Sequence, residues 1–459
     1  MAENNSTKMG VVQLTIITAV NMLGSGIIML PSKLAQVGTM SVLSWIVTLG
    51  GALCLAWVFA RNGMFSKKSG GMGGYAEYSY GKAGSFMSNF TYGLSLVIAN
   101  VAIAVSAVGY LSVFLDMKLS PVEVAIWTII LVIVTTLLNF GGAKITGRIG
   151  SVTVWGVILP VVILAVLGWF WFQPSLYVAS WNPHDISFFD GIASSIPITL
   201  WAFLGLESAV ANMDAVENPQ KNVPIAVMAG TIGAGIIYIL STNVMAGIVK
   251  NSALLTSNAP FGLTFSTMFG SWAGLVVEGI MVLACIGSLL GWQFTIAQVF
   301  KSSADEGYFP KVFSRVTKND TPIVGMLILM TVQVLLSFMT ISPDLNKQFN
   351  VLVNLAVVTN LVPYLLSMGA AKTIQLGAGV KPTNSVFRLT NVIAVIAAIY
   401  SLYAMYASGS QAMVLGSLVT FFGWTAYSFV AYKFDLSSDK LEKLNNNHAF
   451  DAEEDSVKE

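Results

Sequence analysis

Apolar residues run along this chain in long, nearly unbroken stretches, separated by short segments where the polar residues collect. Windows of this kind lie near 11–30, 40–60, 86–115, 122–140, 151–172, 190–212, 224–249, 272–300, 322–341, 350–371, 387–407 and 411–432. Each approaches the ~20 residues that a helix needs to cross the hydrocarbon of a bilayer. In lipid only helices or closed barrels satisfy every backbone group, and these continuous runs lack the roughly ten-residue alternating segments of barrel strands. The pattern predicts an all-α polytopic membrane protein with twelve transmembrane helices. Residues 1–9 are polar and lead directly into a run that reaches Leu30. That is too long for the apolar part of a cleavable signal peptide, so the first helix is expected to stay.

The polar positions orient the bundle. With the N-terminus on the cytoplasmic side, nineteen of the 23 Lys and Arg residues fall in cytoplasmic segments, and only Lys33, Lys118, Lys250 and Lys347 fall opposite. So uneven a split follows the rule that basic residues accumulate in cytoplasmic loops, and it predicts both termini there. Residues 1–432 read as a single transmembrane domain. Residues 433–459 carry eight acidic and four basic residues with an Asn run, which predicts a solvated, disordered cytoplasmic tail.

Composition narrows the function classes. Of 459 residues, 55% are hydrophobic and 10% charged, with a mean hydropathy of +0.74, whereas a soluble domain carries about 25% charged residues. No stretch is left for a soluble enzyme domain. A formal charge of +1 gives no basic stripe for nucleic acid. Cys54 and Cys285 sit in apolar runs, and His184 and His448 lie outside the windows, so no disulfide framework, metal cluster or histidine relay is expected. No cofactor is expected either.

Two windows are interrupted. Gly24-Ser25-Gly26-Ile27 stands in the first, and Trp201 to Ser208, with Gly205 and Glu207, in the sixth. Glycine inside a helix costs about 1 kcal/mol relative to alanine, so either segment can mark a point of unwinding. Either can equally mark a close helix contact. Their pairing favours unwinding: the windows are five apart, and an odd-numbered repeat must insert its second copy upside down. Repeats near 11–172 and 190–371, followed by two extra helices at 387–432, place the two breaks face to face. Amides following Gly26 would then suit a carboxylate, and carbonyls before the break an ammonium group.

Glu207 is the sharpest single residue. A carboxylate near the middle of a span costs several kcal/mol unless it faces a cavity or a cation, and the windows hold almost no Lys or Arg to pair with it. A cationic solute or a proton is the natural counter-charge. Glu278 and Asp214 lie nearer span ends and are expected at the interface, while Glu123 is expected to cap a helix. Trp201, Trp292, Tyr92 and Tyr427 could add cation–π attraction for an alkylammonium group, or simply pack. The segment Ser69 to Tyr78 contains Gly71-x-Gly73-x-x-Ala76 but follows no β-strand, which excludes a dinucleotide site. It is expected to be a tightly turning loop, with Glu77 either meeting a cation or solvated.

The Gly24–Ile27 break, the Ser69–Tyr80 segment, Phe140 to Gly147, Trp201 to Ser208, Glu217-Asn218-Pro219 and Gly287 to Lys301 together resemble the amino acid–polyamine–organocation family, from Lys8 to about Lys433. The Ser69–Tyr80 segment and Trp292-Gln293-Phe294-Thr295-Ile296-Ala297-Gln298 are most similar to members that exchange ornithine for putrescine, rather than lysine for cadaverine or arginine for agmatine. The resemblance implies a five-plus-five inverted repeat with two added helices and alternating access. It also implies a bacterial inner-membrane location, ornithine–putrescine exchange, and proton-coupled putrescine uptake as a second mode. Gly24, Ser25, Gly26, Ile27, Trp201, Gly205, Glu207, Trp292 and Tyr427 are then expected around the substrate, and Glu77, Tyr92 and Trp424 at a gate or access route. Val210 and Ile286 stand where relatives carry cysteine. A channel would need charged rings or filter carbonyls, and a membrane enzyme a nucleophile or metal cluster; neither pattern is visible.

Overall fold

Every apolar window of the sequence carries a helix. The computed structural model describes residues 10–68, 70–207, 216–317, 321–339, 341 and 344–435. Asp214, Ser208, Val210, His448 and the tail beyond residue 435 lie outside them. The helices are α1 (Val11–Met22), α2 (Leu30–Leu34), α3 (Val42–Phe65), α4 (Gly71–Phe114), α5 (Pro121–Asn139), α6 (Ala143–Thr153), α7 (Trp155–Leu167), α8 (Pro174–Ala179) and α9 (Phe188–Trp201). They continue as α10 (Pro219–Ala246), α11 (Asn251–Thr256), α12 (Pro260–Phe269), α13 (Ser271–Asp305), α14 (Ile323–Met339), α15 (Leu345–Gly377), α16 (Ser385–Ala407) and α17 (Ser410–Asp435). No extended strand occurs among the described residues. Nine helical stretches among them are long and apolar enough to cross a membrane, and α1 and α14 supply two shorter apolar helices.

Burial sorts these helices into a centre and a rim. Within the most apolar window of α4, 83% of residues are buried, and in that of α15 72%, against 17% for α17. Helices α4 and α15 pack along one another, with α13 against α4. The rim inverts the surface of a soluble protein: Val395, Ile399 and Leu402 on α16, and Leu418, Phe421 and Phe422 on α17, all point outward. An apolar rim on this scale is solvated by lipid. The chain is a multi-pass membrane protein.

Local chemistry explains several boundaries. Ser120 and Glu123 form a reciprocal cap on α5, the Ser120 amide donating to Glu123 Oε2 at 2.7 Å and the Glu123 amide to Ser120 Oγ at 3.4 Å, as expected for Glu123. Residues 71–80 depart from the loop expected there, because α4 begins at Gly71 and pauses at Gly81, whose φ of 62° is non-helical. Met72, Tyr75 and Ala76, at helical spacing, bury one face of this first stretch. That anchorage outweighs the glycines. Ser79 Oγ also donates to Thr373 Oγ1 of α15 at 2.8 Å. Glu278 differs too: it is buried beside Gly262 rather than interfacial, because α12, too short to stand out as an apolar window, packs against α13.

Candidate functional site

Both interrupted windows are broken in the structure. Helix α1 stops at Met22, Ser25–Ile27 make one 3-10 turn, and the chain resumes as α2. Helix α9 stops at Trp201 and passes through turns to Gly205, whose φ of 106° admits glycine and few other residues. The two breaks touch. A side chain at Gly26 would place its Cβ 3.4 Å from Ala202 Cα and 3.7 Å from the Trp201 carbonyl oxygen, so glycine there lets backbone meet backbone. Tyr238 on α10 reaches between them: its hydroxyl lies against the carbonyls of Met22 and Ala202, the latter at 2.9 Å. Those carbonyls lack intrahelical partners because their helices end there.

Glu207 follows the second break and is held by neutral donors. Tyr92 Oη donates to Oε1 at 3.0 Å, the Gly205 amide donates to Oε2 at 3.0 Å, and Tyr364 Oη donates to Oε2 as well. Tyr92 belongs to α4 and Tyr364 to α15, so the two central helices and the broken segment meet at one carboxyl group. No Lys or Arg forms an ion pair with it among the described residues. Three neutral donors orient the carboxyl group and none of them brings a positive charge, which suits it to an incoming alkylammonium group.

Around this point lie two cavities. The smaller, about 50 Å³, has Met22, Gly24, Gly26, Trp201, Glu207 and Trp292 among its lining residues. It has room for several waters. The larger, about 410 Å³, is lined by Gly24, Tyr92, Ser288 and Trp292, with Gly150 and Val154 from α6 and the α6–α7 junction. Gly24 and Trp292 belong to both walls. Trp201 Nε1 is buried beside Gly26 with no hydrogen-bond acceptor among the described residues, leaving a donor at the smaller cavity.

The expected residues divide accordingly. Gly24, Gly26, Trp201, Gly205, Glu207 and Trp292 line the smaller cavity, and Tyr92 the larger. Ser25 and Ile27 share the 3-10 turn, with Ile27 buried in the core. Tyr427 lies elsewhere, against Phe86 with ring centroids 5.3 Å apart, in a cluster with Phe90 and Tyr308. Trp424 is half exposed on the rim of α17. Glu77 pairs with Lys68 and Lys82, each at 2.8 Å, so it already has resident counter-charges. Three participants were not anticipated: Tyr364, Tyr238 and Asn360, which also lines the smaller cavity.

Comparison with known proteins agrees with this architecture. The family profile described as "Amino acid permease" matches residues 9–430. The chain is 62% identical over 438 residues to "Putrescine transporter PotE" of Escherichia coli (strain K12), covering 95% of this chain and 99% of that protein. It is 63% identical over 431 residues to the protein of the same name from Haemophilus influenzae, covering 94% and 99% respectively. To "Cadaverine/lysine antiporter" of Escherichia coli (strain K12) it is 35% identical over 369 residues, covering 79% and 83%. A chain matched from end to end of its bundle by a family of permeases, with paired helix breaks at its centre, belongs to the amino acid permease family.

Proposed function

We propose that this protein is a secondary transporter that exchanges putrescine for ornithine across a bacterial inner membrane by alternating access, with proton-coupled putrescine uptake as a second mode. The observation that carries the reading is Glu207, a buried carboxyl group held by Tyr92 and Tyr364 beside a small cavity at the junction of two broken helices. The likeness to two putrescine transporters supports the choice of cargo. Both ligands carry alkylammonium groups with pKa near that of lysine, about 10.4, so both are cationic at neutral pH. Glu207 can receive either. Only ornithine adds a carboxylate, for which backbone amides of the break near Gly26 and the Trp201 indole N–H are the candidate donors.

The proposed frame is twelve crossings, an inverted repeat at 11–172 and 190–371, two further helices, and both termini in the cytoplasm. The distribution of basic residues and the matching breaks support it. In proteoliposomes, an exchanger takes up labelled putrescine faster when preloaded with ornithine. Uptake indifferent to preloading would instead indicate a channel. Competition by cadaverine, lysine, agmatine and arginine across a pH series tests the cargo and the proton-coupled mode.

A further inference from the structure

At the far end of α4 from the Glu77 ion pairs, a cleft of about 770 Å³ opens between the ends of α4, α5 and α15, with Asp116, Lys118, Asp344 and Asn346 in its wall. Beneath it lies Lys33 of α2, the one Lys or Arg that is buried among the described residues, at 0% exposure. Its Nζ donates to the Asn346 backbone oxygen at 2.5 Å and to Asn346 Oδ1 at 2.8 Å, and stands 5.3 Å from the centroid of the Phe349 ring. Asp344 supplies the carboxylate field acting on it. Phe349 in turn packs edge-on to Trp201, centroids 6.4 Å apart, and Trp201 lines the smaller cavity. From cleft to cavity the order is therefore Asn346, Lys33 and Phe349, then Trp201.

An ammonium group in this place is not explained by packing. Burying it is costly, and it sits near the N-terminus of α15, where the helix dipole disfavours a cation. An apolar side chain would fill the space without either penalty. What surrounds the ammonium is nevertheless a complete receptor for one: two carbonyl-type oxygens, an aromatic face and a nearby carboxylate. Moreover, the lysine side chain, four methylenes ending in an ammonium group, has the length and charge of one end of an alkyl diamine.

We propose that Asn346, Phe349 and Asp344 form a second, outer alkylammonium station on the transport route, and that in this conformation Lys33 occupies it as a tethered stand-in. When α2 swings away the lysine withdraws, and the ammonium of a diamine or basic amino acid takes its acceptors. When that cation moves inward, Lys33 returns. The acceptors are thus never left buried and empty, and the closed side of the bundle is latched by the same chemistry that admits cargo. Ser32 Oγ, donating to the Ser257 carbonyl at 2.8 Å, and Asn251 Nδ2, donating to the Ala35 carbonyl at 2.9 Å, hold α2 and its end in the latched position.

The inference rests on the transporter reading, and equilibrium binding of labelled putrescine to the purified full chain separates the two. Glu207→Gln removes the central carboxylate, and Lys33→Met added to it vacates the outer station. The expected result is binding weakened roughly 30-fold or more in the single variant, tighter saturable binding in the double variant, and its loss again on adding Asn346→Leu. A monodisperse double variant that binds no more tightly than Glu207→Gln alone overturns the station. If Glu207→Gln alone binds like wild type, the central assignment fails instead, and the station is scored by whether Lys33→Met raises the number of putrescines bound per chain; an unchanged number overturns it. Should Lys33→Met not fold, Asp344→Asn tests the same station from an exposed position, since asparagine can keep the cap on the Asn346 amide. It should raise the half-saturating putrescine concentration for uptake from the cleft side roughly two- to fivefold, the scale of an exposed charge. No change would reject the proposal.

Discussion

The hydroxyl of Tyr238 donates to the carbonyl of Ala202 at 2.9 Å while also lying against the carbonyl of Met22, so a single proton serves the ends of both broken helices. Replacing it leaves the buried Ala202 carbonyl without that donor, while the Met22 carbonyl keeps the Gly24 amide at 2.8 Å. Tyr238→Phe keeps the ring, which stacks on Trp45 and meets Phe203 edge-on with centroids 5.5 Å away in each case. We expect it to lower unfolding free energy by about 1–3 kcal/mol, the desolvation penalty of an orphaned acceptor, and to slow exchange. Thermal unfolding in detergent and initial uptake rates check both, and a variant indistinguishable from wild type would show that the hydroxyl does not brace the breaks.

Glu207→Gln keeps an acceptor for Tyr92 and Tyr364 but removes the charge. Loss of a paired buried charge costs about 2–5 kcal/mol, so binding of putrescine and of ornithine should both weaken by roughly 30-fold or more. Tyr364→Phe, which removes one bond to that carboxylate, should cost about 1.5–3 kcal/mol in whatever state the bond is made. Equilibrium binding of the two ligands distinguishes these outcomes, and wild-type affinity in Glu207→Gln would remove Glu207 from the site.

Gly26→Ala inserts a methyl group 3.4 Å from Ala202 Cα, where contacts are already tight. The methyl group sits at the limit of ordinary contact between the two breaks, and any small shift that seats it tilts the neighbouring amides. Ornithine, whose carboxylate needs those amides, should lose more affinity than putrescine. Parallel competition curves decide it, and equal losses would contradict the role given to the amides.

At Gly205 the constraint is conformational. With φ at 106°, Gly205→Ala should destabilise the fold by about 1–2 kcal/mol through backbone strain alone. Its amide bond to Glu207 would shift as well. A melting temperature equal to wild type would mean that this turn relaxes freely.

The ion pairs of Glu77 should behave differently. Lys68 and Lys82 are about two-fifths exposed, so Glu77→Gln should cost less than about 1 kcal/mol. Whatever effect it has should shrink as salt is raised. A large, salt-insensitive loss of exchange would instead place Glu77 on the route of the cation.

The helices and the two breaks were legible because their signals are local: long apolar runs, and glycines where a helix would otherwise continue. Glu123, at the start of a window, pointed to a cap for the same reason, and Ser120 three residues earlier completes it. Tyr364 was not legible. It is one tyrosine in an apolar helix, and its role exists only because the fold brings it to Glu207, 157 residues away. Tyr238 likewise looks like core until the carbonyls it meets are known. The turning loop expected at 69–80 came from counting glycines, where the buried face of Met72, Tyr75 and Ala76 mattered more. Tyr427, an aromatic within a span that the resemblance also places near the substrate, had no distance to decide between binding and packing; it packs on Phe86.

Trp292 forms part of the wall of both cavities. A ligand passing between them crosses, within the width of an indole, from a space that holds a hydration shell to one that holds a handful of waters. Dehydration of the ammonium head is thereby compressed into a single step beside Glu207, and its height is set by the head group. Methylenes, which gain from leaving water, follow afterwards. Diamines of different length should therefore share one activation barrier while differing in how firmly they are retained, making residence time rather than admission the place where chain length is discriminated.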